Sequence, residues 1–269
     1  MIRRILTAAV LLPVVLALVL WAPAWLFLLG VLLFGLPAIW EYLELAGRAG
    51  SAPARLPLYL AAVGVLGVAG YFPRQLLPVI VGSGLLLFLF SLIGRQMTAE
   101  VLPASAASAF GLLYIAVPFA LLLDLRGAEQ GRWVVLYLLL LVWVGDAAAY
   151  FVGGALGRHK LAPRLSPGKT IEGTAASLVA TLLVGYWLFR SWPSAFGFGP
   201  MHAWLLPLLV NLAAQLGDLG ESALKRSAGV KDSSALFPGH GGVLDRVDSL
   251  LFAVPVVWYY WKVLTQGGL

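Results

Sequence analysis

Side chains that could carry out chemistry are concentrated in one short stretch near the end of an otherwise apolar chain. Residues 239–249 read GHGGVLDRVDS and bring His240, Asp245, Arg246 and Asp248 next to three glycines. Acidic side chains can hold a hard cation such as Mg²⁺, basic side chains can hold phosphates, and glycines let the backbone approach a ligand closely. This inventory is typical of phosphoryl or nucleotidyl transfer, where catalysis consists mostly of positioning and charge neutralisation.

A second group of polar residues lies just before this stretch, on a predicted helix. Asp218, Glu221, Ser222 and Lys225 are spaced i, i+3, i+4 and i+7, so they share one helical face. Two acids one turn apart are candidate ligands for Mg²⁺, which prefers oxygen donors and usually keeps waters or substrate phosphates.

Each of these groups also has a purely structural interpretation. Asp245 and Asp248 repeat the i, i+3 spacing at the predicted start of the last helix, where acids interact favourably with the helix dipole. His240 by itself is as consistent with a turn residue as with a catalytic one. The basic residues can equally form a patch for anionic lipid headgroups; they are Lys225, Arg226, Lys231 and Arg246.

Another polar block occupies residues 145–173, GDAAAYFVGGALGRHKLAPRLSPGKTIEG. Asp146 lies within a predicted membrane span, where an acid is costly and usually faces a protein interior or a wet cavity. Tyr150 follows at i+4, on the same helical face. Three glycines further along could let helices approach closely; they are Gly153, Gly154 and Gly157.

The sequence SPGKT at residues 166–170 resembles the end of a phosphate-binding P-loop. The leading glycine is not at the required spacing, however, and no strand is predicted before it. The alternative is a solvated cytoplasmic loop in which Pro167 and Gly168 form a turn and Thr170 with Glu172 begins the next helix.

The composition predicts a polytopic membrane protein. The 269 residues are 61% hydrophobic and only 11% charged, and the mean hydropathy is +0.93. Because backbone polar groups in lipid must be paired internally, apolar runs without strand-like alternation are expected to be helices. There is no cysteine, which excludes disulfides and thiolate chemistry. We attribute the net charge of +6 to cytoplasmic loops near anionic lipid rather than to nucleic-acid binding.

Nine membrane-spanning helices are predicted, five in an N-terminal region (1–130) and four in a C-terminal catalytic region (131–269). The N-terminus imitates a signal peptide, but its apolar run is long, so we expect a retained first helix. The expected spans are 5–22, 25–42, 57–72, 76–94, 106–124, 133–154, 173–190, 202–219 and 249–265.

Lysine and arginine predict the orientation, because they favour the cytoplasmic side. With nine spans, 13 of the 18 basic residues fall on the side of the N-terminus. Eight of these lie in the two polar blocks, so the orientation depends on both blocks being cytoplasmic. We therefore expect the N-terminus inside, the C-terminus outside and the site facing the cytoplasm of a bacterial inner membrane.

Residues 222–248, SALKRSAGVKDSSALFPGHGGVLDRVD, resemble the signature of phosphatidate cytidylyltransferases, also called CDP-diacylglycerol synthases. The pattern is Ser-x-apolar-Lys-Arg, four residues, Lys-Asp, then Pro-x-His-Gly-Gly and Asp-Arg-x-Asp, and no position departs from it. The first block is similar to that of the family at Asp146, Tyr150, Lys160-Leu161, Pro163, Ser166-Pro167, Lys169-Thr170 and Glu172-Gly173. The specific resemblance covers residues 143–250.

The resemblance implies an all-α bundle in the membrane, assembled as a homodimer, that uses Mg²⁺. It implies that CTP and phosphatidic acid are converted to CDP-diacylglycerol and pyrophosphate, a step in phospholipid synthesis. Asp218 and Asp245 are our first choices as Mg²⁺ ligands, with Glu221 and Asp248 as further ligands and Asp146 as a possible member of the cluster.

The remaining expected roles concern the substrates. Gly241 and Gly242 would let backbone N–H groups face a phosphate, and His240 would position a phosphate or shuttle a proton. The basic residues expected to hold the CTP or lipid phosphate are Lys225, Arg226, Lys231 and Arg246. The other expected substrate-binding residues are Lys160, Ser166, Lys169, Thr170, Ser222 and Asp232.

Three alternatives stay open at this point. Another CTP-dependent membrane lipid enzyme would share this chemistry and differ in its acceptor. An ion transporter could line its path with Asp146 and Asp218, although the polar residues gather at one predicted face. A non-catalytic scaffold that binds anionic lipid through its basic loops would tolerate the loss of the acids.

Overall fold

The structure is a computed structural model that describes residues 2–93, 98–192, 199–234, 236 and 241–266, without the side chains of 2–10, 98 and 264–266. Ten α-helices account for most of this part of the chain, and the predicted all-α membrane class is confirmed. The helices are α1 Ile2–Leu20, α2 Ala24–Arg48, α3 Arg55–Tyr71, α4 Leu76–Leu92, α5 Val101–Gly111, α6 Val117–Gly127, α7 Gly131–Leu156, α8 Ile171–Ser191, α9 His202–Ser227 and α10 Leu244–Gln266.

Short elements connect some of these helices. One 3₁₀ turn (Pro73–Gln75) precedes α4, another (Thr98–Glu100) precedes α5, and a π-helical turn (Leu112–Ala116) joins α5 to α6. Pro118 follows the π-helical turn and lacks a backbone N–H, which fits the altered hydrogen bonding at this position. Helices α5 and α6 thereby form the continuous segment Val101–Gly127.

Six helical segments in the described part of the chain are long and apolar enough to cross a membrane. They are Ala24–Arg48, Pro73–Leu92, Val101–Gly127, Gly131–Leu156, Ile171–Ser191 and His202–Ser227. Shorter apolar helices lie at Leu11–Leu20 and Arg55–Tyr71. The chain is an integral membrane protein. Each of the nine predicted spans overlaps a helix or, for 106–124, the segment formed by α5 and α6, and the spans 5–22, 57–72 and 76–94 extend past the ends of α1, α3 and α4. The number of membrane crossings stays a prediction.

The chain divides into two compact units, and each is described by itself. The first comprises residues 1–128 and 224–246. Within it α3 packs against α2, α4 and α6, around fully buried side chains such as Ile39, Leu58 and Ile115. Arg126 at the end of α6 donates to the carbonyl oxygens of Val19 at 2.6 Å and Ala22 at 3.1 Å, which ties α6 to the connection between α1 and α2.

The second unit comprises residues 129–223 and 247–269. Its α7 and α8 pack against each other over much of their length. Small residues allow this, since a Cβ at Gly145 would lie only 2.8 Å from Thr181 Oγ1. From α9, Asn211 donates to the hydroxyls of Ser177 at 2.8 Å and Thr181 at 3.0 Å. These buried hydrogen bonds fix the rotation of α8 and α9 about their own axes.

The loop expected between α7 and α8 contains an antiparallel hairpin. Strand β1 (Lys160–Ala162) pairs with β2 (Ser166–Thr170), with Lys160 opposite Thr170 and Ala162 opposite Ser166. The SPGKT sequence is thus a strand and not a phosphate-binding loop before a helix. The predicted turn at Pro167 and Gly168 is wrong, because the hairpin turns earlier, between the two strands.

Candidate active site

A cavity of about 490 Å³ in the second unit brings several of the predicted site residues together. Asp146 and Tyr150 line it from α7, one turn apart as the spacing predicted. The other lining residues are Ala149, Gly153, Gly154, Leu161, Ser166, Gly168, Lys169, Thr170, Gly173, Thr174, Ser177, Gln215 and Asp218. The wall therefore combines two carboxylates with a lysine and hydroxyl groups.

Charges of opposite sign meet inside this cavity. Lys169 on β2 lies with its Nζ 2.8 Å from Asp218 Oδ2 on α9. The two side chains are 21% and 37% exposed, but the Lys169 Nζ atom itself is buried, so the Asp218 side chain is the more accessible member of the pair. Asp146 lies within electrostatic reach of both groups. A bound phosphate could replace the Asp218 carboxylate as the partner of Lys169, which would release that carboxylate for a cation.

The hairpin and α8 hold Lys169 in this position. Thr170 is the N-cap residue of α8, and its hydroxyl accepts the Gly173 N–H at 3.1 Å, which confirms the predicted helix start. Ile171 donates its N–H to the His159 carbonyl at 2.9 Å, and His159 Nδ1 lies 2.6 Å from Glu172 Oε1. Both ends of the hairpin are therefore fastened to the first turn of α8.

The glycines of this region differ in their roles. A Cβ at Gly153 would lie 3.4 Å from the Gly173 Cα on α8, and one at Gly157 would collide with Thr170. The predicted close approach is confirmed at these two positions. It is wrong for Gly154, where a Cβ would find nothing within 4 Å because this glycine faces the open cavity.

Two more of the predicted ligands lie where α9 and α10 pack within the second unit. A Cβ at Gly217 would lie 2.5 Å from the Asp248 carbonyl oxygen, so the two backbones are in close contact. Asp248 Oδ1 accepts the N–H of Ser249 at 2.7 Å. Glu221, Ser222 and Asp248 are all buried. The roles of Glu221 and Asp248 as further metal ligands, and of Ser222 in substrate binding, stay predictions.

A second polar group lies in the first unit and is organised by Asp245. Lys225 Nζ donates to Asp245 Oδ1 at 2.5 Å. Asp245 Oδ2 accepts the backbone N–H groups of Gly242 at 2.7 Å and Ser233 at 3.1 Å, and lies 2.8 Å from the Ser233 hydroxyl. Burial raises the pKa of Asp245, but the hydrogen bonds from Lys225 and Gly242 and the Lys225 charge outweigh this effect. The pKa is therefore lowered below its ordinary value. Asp245 is therefore ionised at neutral pH.

Sequence reasoning missed Glu41, a fully buried acid on α2. Its carboxylate accepts the backbone N–H groups of Val243 at 2.8 Å and Leu244 at 2.7 Å. The hydroxyls of Ser233 and Ser234 lie 2.9 Å and 2.6 Å from its oxygens. A signal existed, because Glu41 interrupts the apolar run predicted as the second span, where an acid is costly.

The role expected for Gly242 stays a prediction, and the structure adds two contacts of this residue. Its N–H, assigned from sequence to a phosphate, donates to Asp245. Its missing Cβ has a different consequence, because a Cβ there would collide with the Ser233 hydroxyl and the Glu41 carboxylate. Gly241 has a φ of +77°, in the left-handed region that favours glycine, and a Cβ there would lie 2.5 Å from Asp245 Oδ2.

The remaining predicted residues differ in their placement. His240 lies outside the described residues. Lys160 is exposed on β1 and is not among the residues that line the cavity. Arg226, Lys231, Asp232 and Arg246 are exposed. Asp218 belongs to the second unit and Asp245 to the first, so a metal site shared by these two acids stays a prediction.

The donor set of the cavity is suited to Mg²⁺. Within the described ranges, no three His, Asp or Glu side chains are grouped closely enough to hold one metal ion. Mg²⁺ does not need three, because it is usually bound by one or two carboxylates together with waters and substrate phosphates. Asp146 and Asp218 supply two such carboxylates to one cavity.

The cytidylyltransferase family model matches residues 2–264. The chain therefore belongs to the cytidylyltransferase family.

Several curated relatives bear the name phosphatidate cytidylyltransferase. The Bacillus subtilis (strain 168) relative is 40% identical over 150 residues, which cover 55% of this chain and 54% of that one. The Haemophilus influenzae relative is 44% identical over 134 residues, covering 49% and 46%. The Staphylococcus aureus (strain COL) relative is 41% identical over 147 residues, covering 54% of each chain. The chain thus spans about half the length of the curated relatives it matches.

Proposed function

We propose that this chain transfers the cytidylyl group of CTP to phosphatidic acid, giving CDP-diacylglycerol and pyrophosphate, in bacterial phospholipid synthesis. The observation that carries the proposal is the 40–44% identity to relatives named phosphatidate cytidylyltransferase. The cavity supports it, because a lysine, two carboxylates and hydroxyls are what a magnesium–nucleotide complex requires.

The reaction needs one new bond and one broken bond. An oxygen of the phosphatidic acid phosphate attacks the α-phosphorus of CTP, and the bond from this phosphorus to the oxygen that bridges to the β-phosphate breaks. Pyrophosphate leaves with the electron pair. A phosphate monoester has a second pKa of about 6 and is already anionic at neutral pH. A strong general base is therefore unnecessary.

The protein's task is positioning and charge neutralisation. Lys169 would bind a phosphate in the cavity, and Ser166 would donate a hydrogen bond to an oxygen nearby. Lys225, held by Asp245, would serve the other substrate, together with the exposed Arg226, Lys231 and Arg246. Asp146 and Asp218 would hold Mg²⁺, which supplies positive charge to the triphosphate.

The cellular setting is part of the proposal. Relatives from bacteria support a location in the bacterial inner membrane. The excess of basic residues in both polar blocks supports a cytoplasm-facing site. Homodimer assembly is carried over from the family resemblance.

The test is turnover by the purified full chain in detergent, with phosphatidic acid, CTP labelled in its α-phosphate and Mg²⁺. We expect label to enter the lipid phase, to be abolished by EDTA, and to fall at least about 100-fold in Asp218→Asn. Glu129→Gln neutralises an exposed acid of the same unit and serves as the matched control. Transfer of label to another lipid acceptor but not to phosphatidic acid would replace the substrate assignment. Full activity of Asp218→Asn would refute the metal assignment.

A further inference from the structure

Glu41 contacts a part of the chain that lies about two hundred residues away. Its side chain is fully buried, at 0% exposure. Oε1 accepts from the Ser234 hydroxyl at 2.6 Å and from the Val243 N–H at 2.8 Å. Oε2 accepts from the Leu244 N–H at 2.7 Å and lies 2.9 Å from the Ser233 hydroxyl. Four donors therefore surround the two oxygens.

This arrangement does not favour a role as metal ligand. A carboxylate offers about four lone-pair sites; the Val243 and Leu244 N–H groups and the Ser234 hydroxyl occupy three, and the Ser233 hydroxyl lies next to the fourth. A buried carboxylate is costly unless it is fully hydrogen-bonded. The contacts thus describe an anchor for backbone and hydroxyl groups.

The donors lie at both ends of residues 235–242 of the signature, called the signature stretch below. Ser233 and Ser234 come before it, whereas Val243 and Leu244 follow it, and Leu244 is the first residue of α10. An anion next to the first N–H groups of a helix is favoured by the helix dipole as well. Glu41 consequently fixes where the stretch starts and where it returns to the helix.

Glu41 is also coupled to the Lys225–Asp245 pair. The Ser233 hydroxyl lies 2.9 Å from Glu41 Oε2 and 2.8 Å from Asp245 Oδ2. Because a hydroxyl has a single proton, Ser233 links the two carboxylates and does not satisfy both at once. Gly242 fits between them only because it has no side chain. A shift of Glu41 would therefore move Asp245 and its lysine.

We propose that Glu41 is a positioning residue for cytidylyl transfer, which holds the ends of the signature stretch so that Lys225 and Asp245 keep their geometry. Its consequence for turnover rests on the proposed function. The anchoring itself is independent of turnover and can be measured without substrate.

The variant Glu41→Gln keeps the shape and replaces one acceptor oxygen with an NH₂ group, which faces donors. Glu44→Gln is the matched control, since Glu44 lies on the same helix and its Oε1 contacts Arg55 at 2.8 Å in an exposed pair. In the purified full chain we expect amide exchange of peptides covering 241–250 to become about tenfold faster in Glu41→Gln. Exchange in Glu44→Gln is expected to be unchanged.

Turnover is measured on the same samples. We expect kcat/KM to fall about 100-fold in Glu41→Gln, because small misplacements in a catalytic site have effects of this size. The control is expected to stay within about twofold of the unsubstituted protein. The change in exchange should be confined to the peptides covering 241–250, while cooperative thermal unfolding persists.

A second variant covers the case in which Glu41→Gln does not fold. Ser234→Ala removes one donor to Glu41 and is expected to raise exchange of 241–250 roughly fivefold. Unchanged exchange in the variant that folds would overturn the anchoring. Faster exchange spread evenly over the whole chain would overturn it too, since that result indicates general packing. If the unsubstituted chain makes no labelled lipid while Glu41→Gln still loosens 241–250, the proposed function fails and the anchoring stands.

Discussion

Lys225 and Asp245 form an ion pair whose side chains are only 13% and 11% exposed. Their charges compensate each other at a place where water contributes little. By contrast, Arg55 and Glu44 lie at a comparable 2.8 Å but are 58% and 37% exposed. Losing one partner of the pair is therefore expected to cost more stability at Lys225–Asp245 than at Arg55–Glu44.

Replacing one partner in each pair tests this difference. Lys225→Met should lower the free energy of unfolding by about 3 kcal/mol, because it leaves Asp245 buried without its counter-charge. Arg55→Met should lower it by about 0–1 kcal/mol, since water screens the exposed Glu44. Both are measured by chemical denaturation in detergent. Equal losses would show that burial does not govern the Lys225–Asp245 pair.

Helices that carry site residues are held together by backbone contact as much as by side chains. Asp218 follows Gly217, the residue at which α9 touches the carbonyl of Asp248 on α10. Gly220 lies one turn later on the same helix, but a Cβ there would meet Phe252 only at an ordinary 3.8 Å. Both glycines thus lie inside α9, but only Gly217 is in close contact with the backbone of α10.

Alanine at each glycine separates helix propensity from packing. Gly217→Ala should destabilise the protein by about 1–3 kcal/mol, because its methyl group forces α10 away from α9. Gly220→Ala should be neutral or stabilising by up to about 1 kcal/mol, since alanine favours a helix and meets no clash. Thermal unfolding of the two variants makes the comparison. A stable, fully active Gly217→Ala would contradict the close contact.

At the scale of the whole molecule, the chain order and the spatial units do not coincide. Residues 224–246 belong with 1–128 in one unit, whereas 247–269 belong with 129–223 in the other. One unit boundary therefore falls within α9 and another within α10, while the third lies between α6 and α7. Both polar blocks are proposed to face the cytoplasm. This orientation depends on how many times the whole chain crosses the membrane.

The absence of cysteine from the sequence makes the orientation directly testable. Arg164→Cys introduces a thiol in the turn of the hairpin, and Arg74→Cys introduces one between α3 and α4; both positions are exposed. A membrane-impermeant maleimide should label Arg74→Cys in intact cells and Arg164→Cys only in inside-out vesicles. The reverse pattern would invert the proposed topology, and labelling of both from one side would change the number of crossings between them.

The sequence by itself determined the membrane class, the approximate positions of the helices and the two polar blocks. Apolar composition, helical spacing and the signature depend on residues close together in the chain, so they can be read without a structure. The i, i+4 relation of Asp146 and Tyr150 and the capping by Thr170 were predicted for this reason.

Only the tertiary structure decided which distant residues meet. Glu41 lies far in sequence from Val243, and no local pattern indicates that its carboxylate accepts the N–H groups there. The pairing of Lys169 with Asp218 likewise depends on how α8 and α9 pack. The hairpin was missed because three-residue and five-residue strands carry too short a periodic signal. Such contacts arise from packing between elements, which local sequence spacing does not encode.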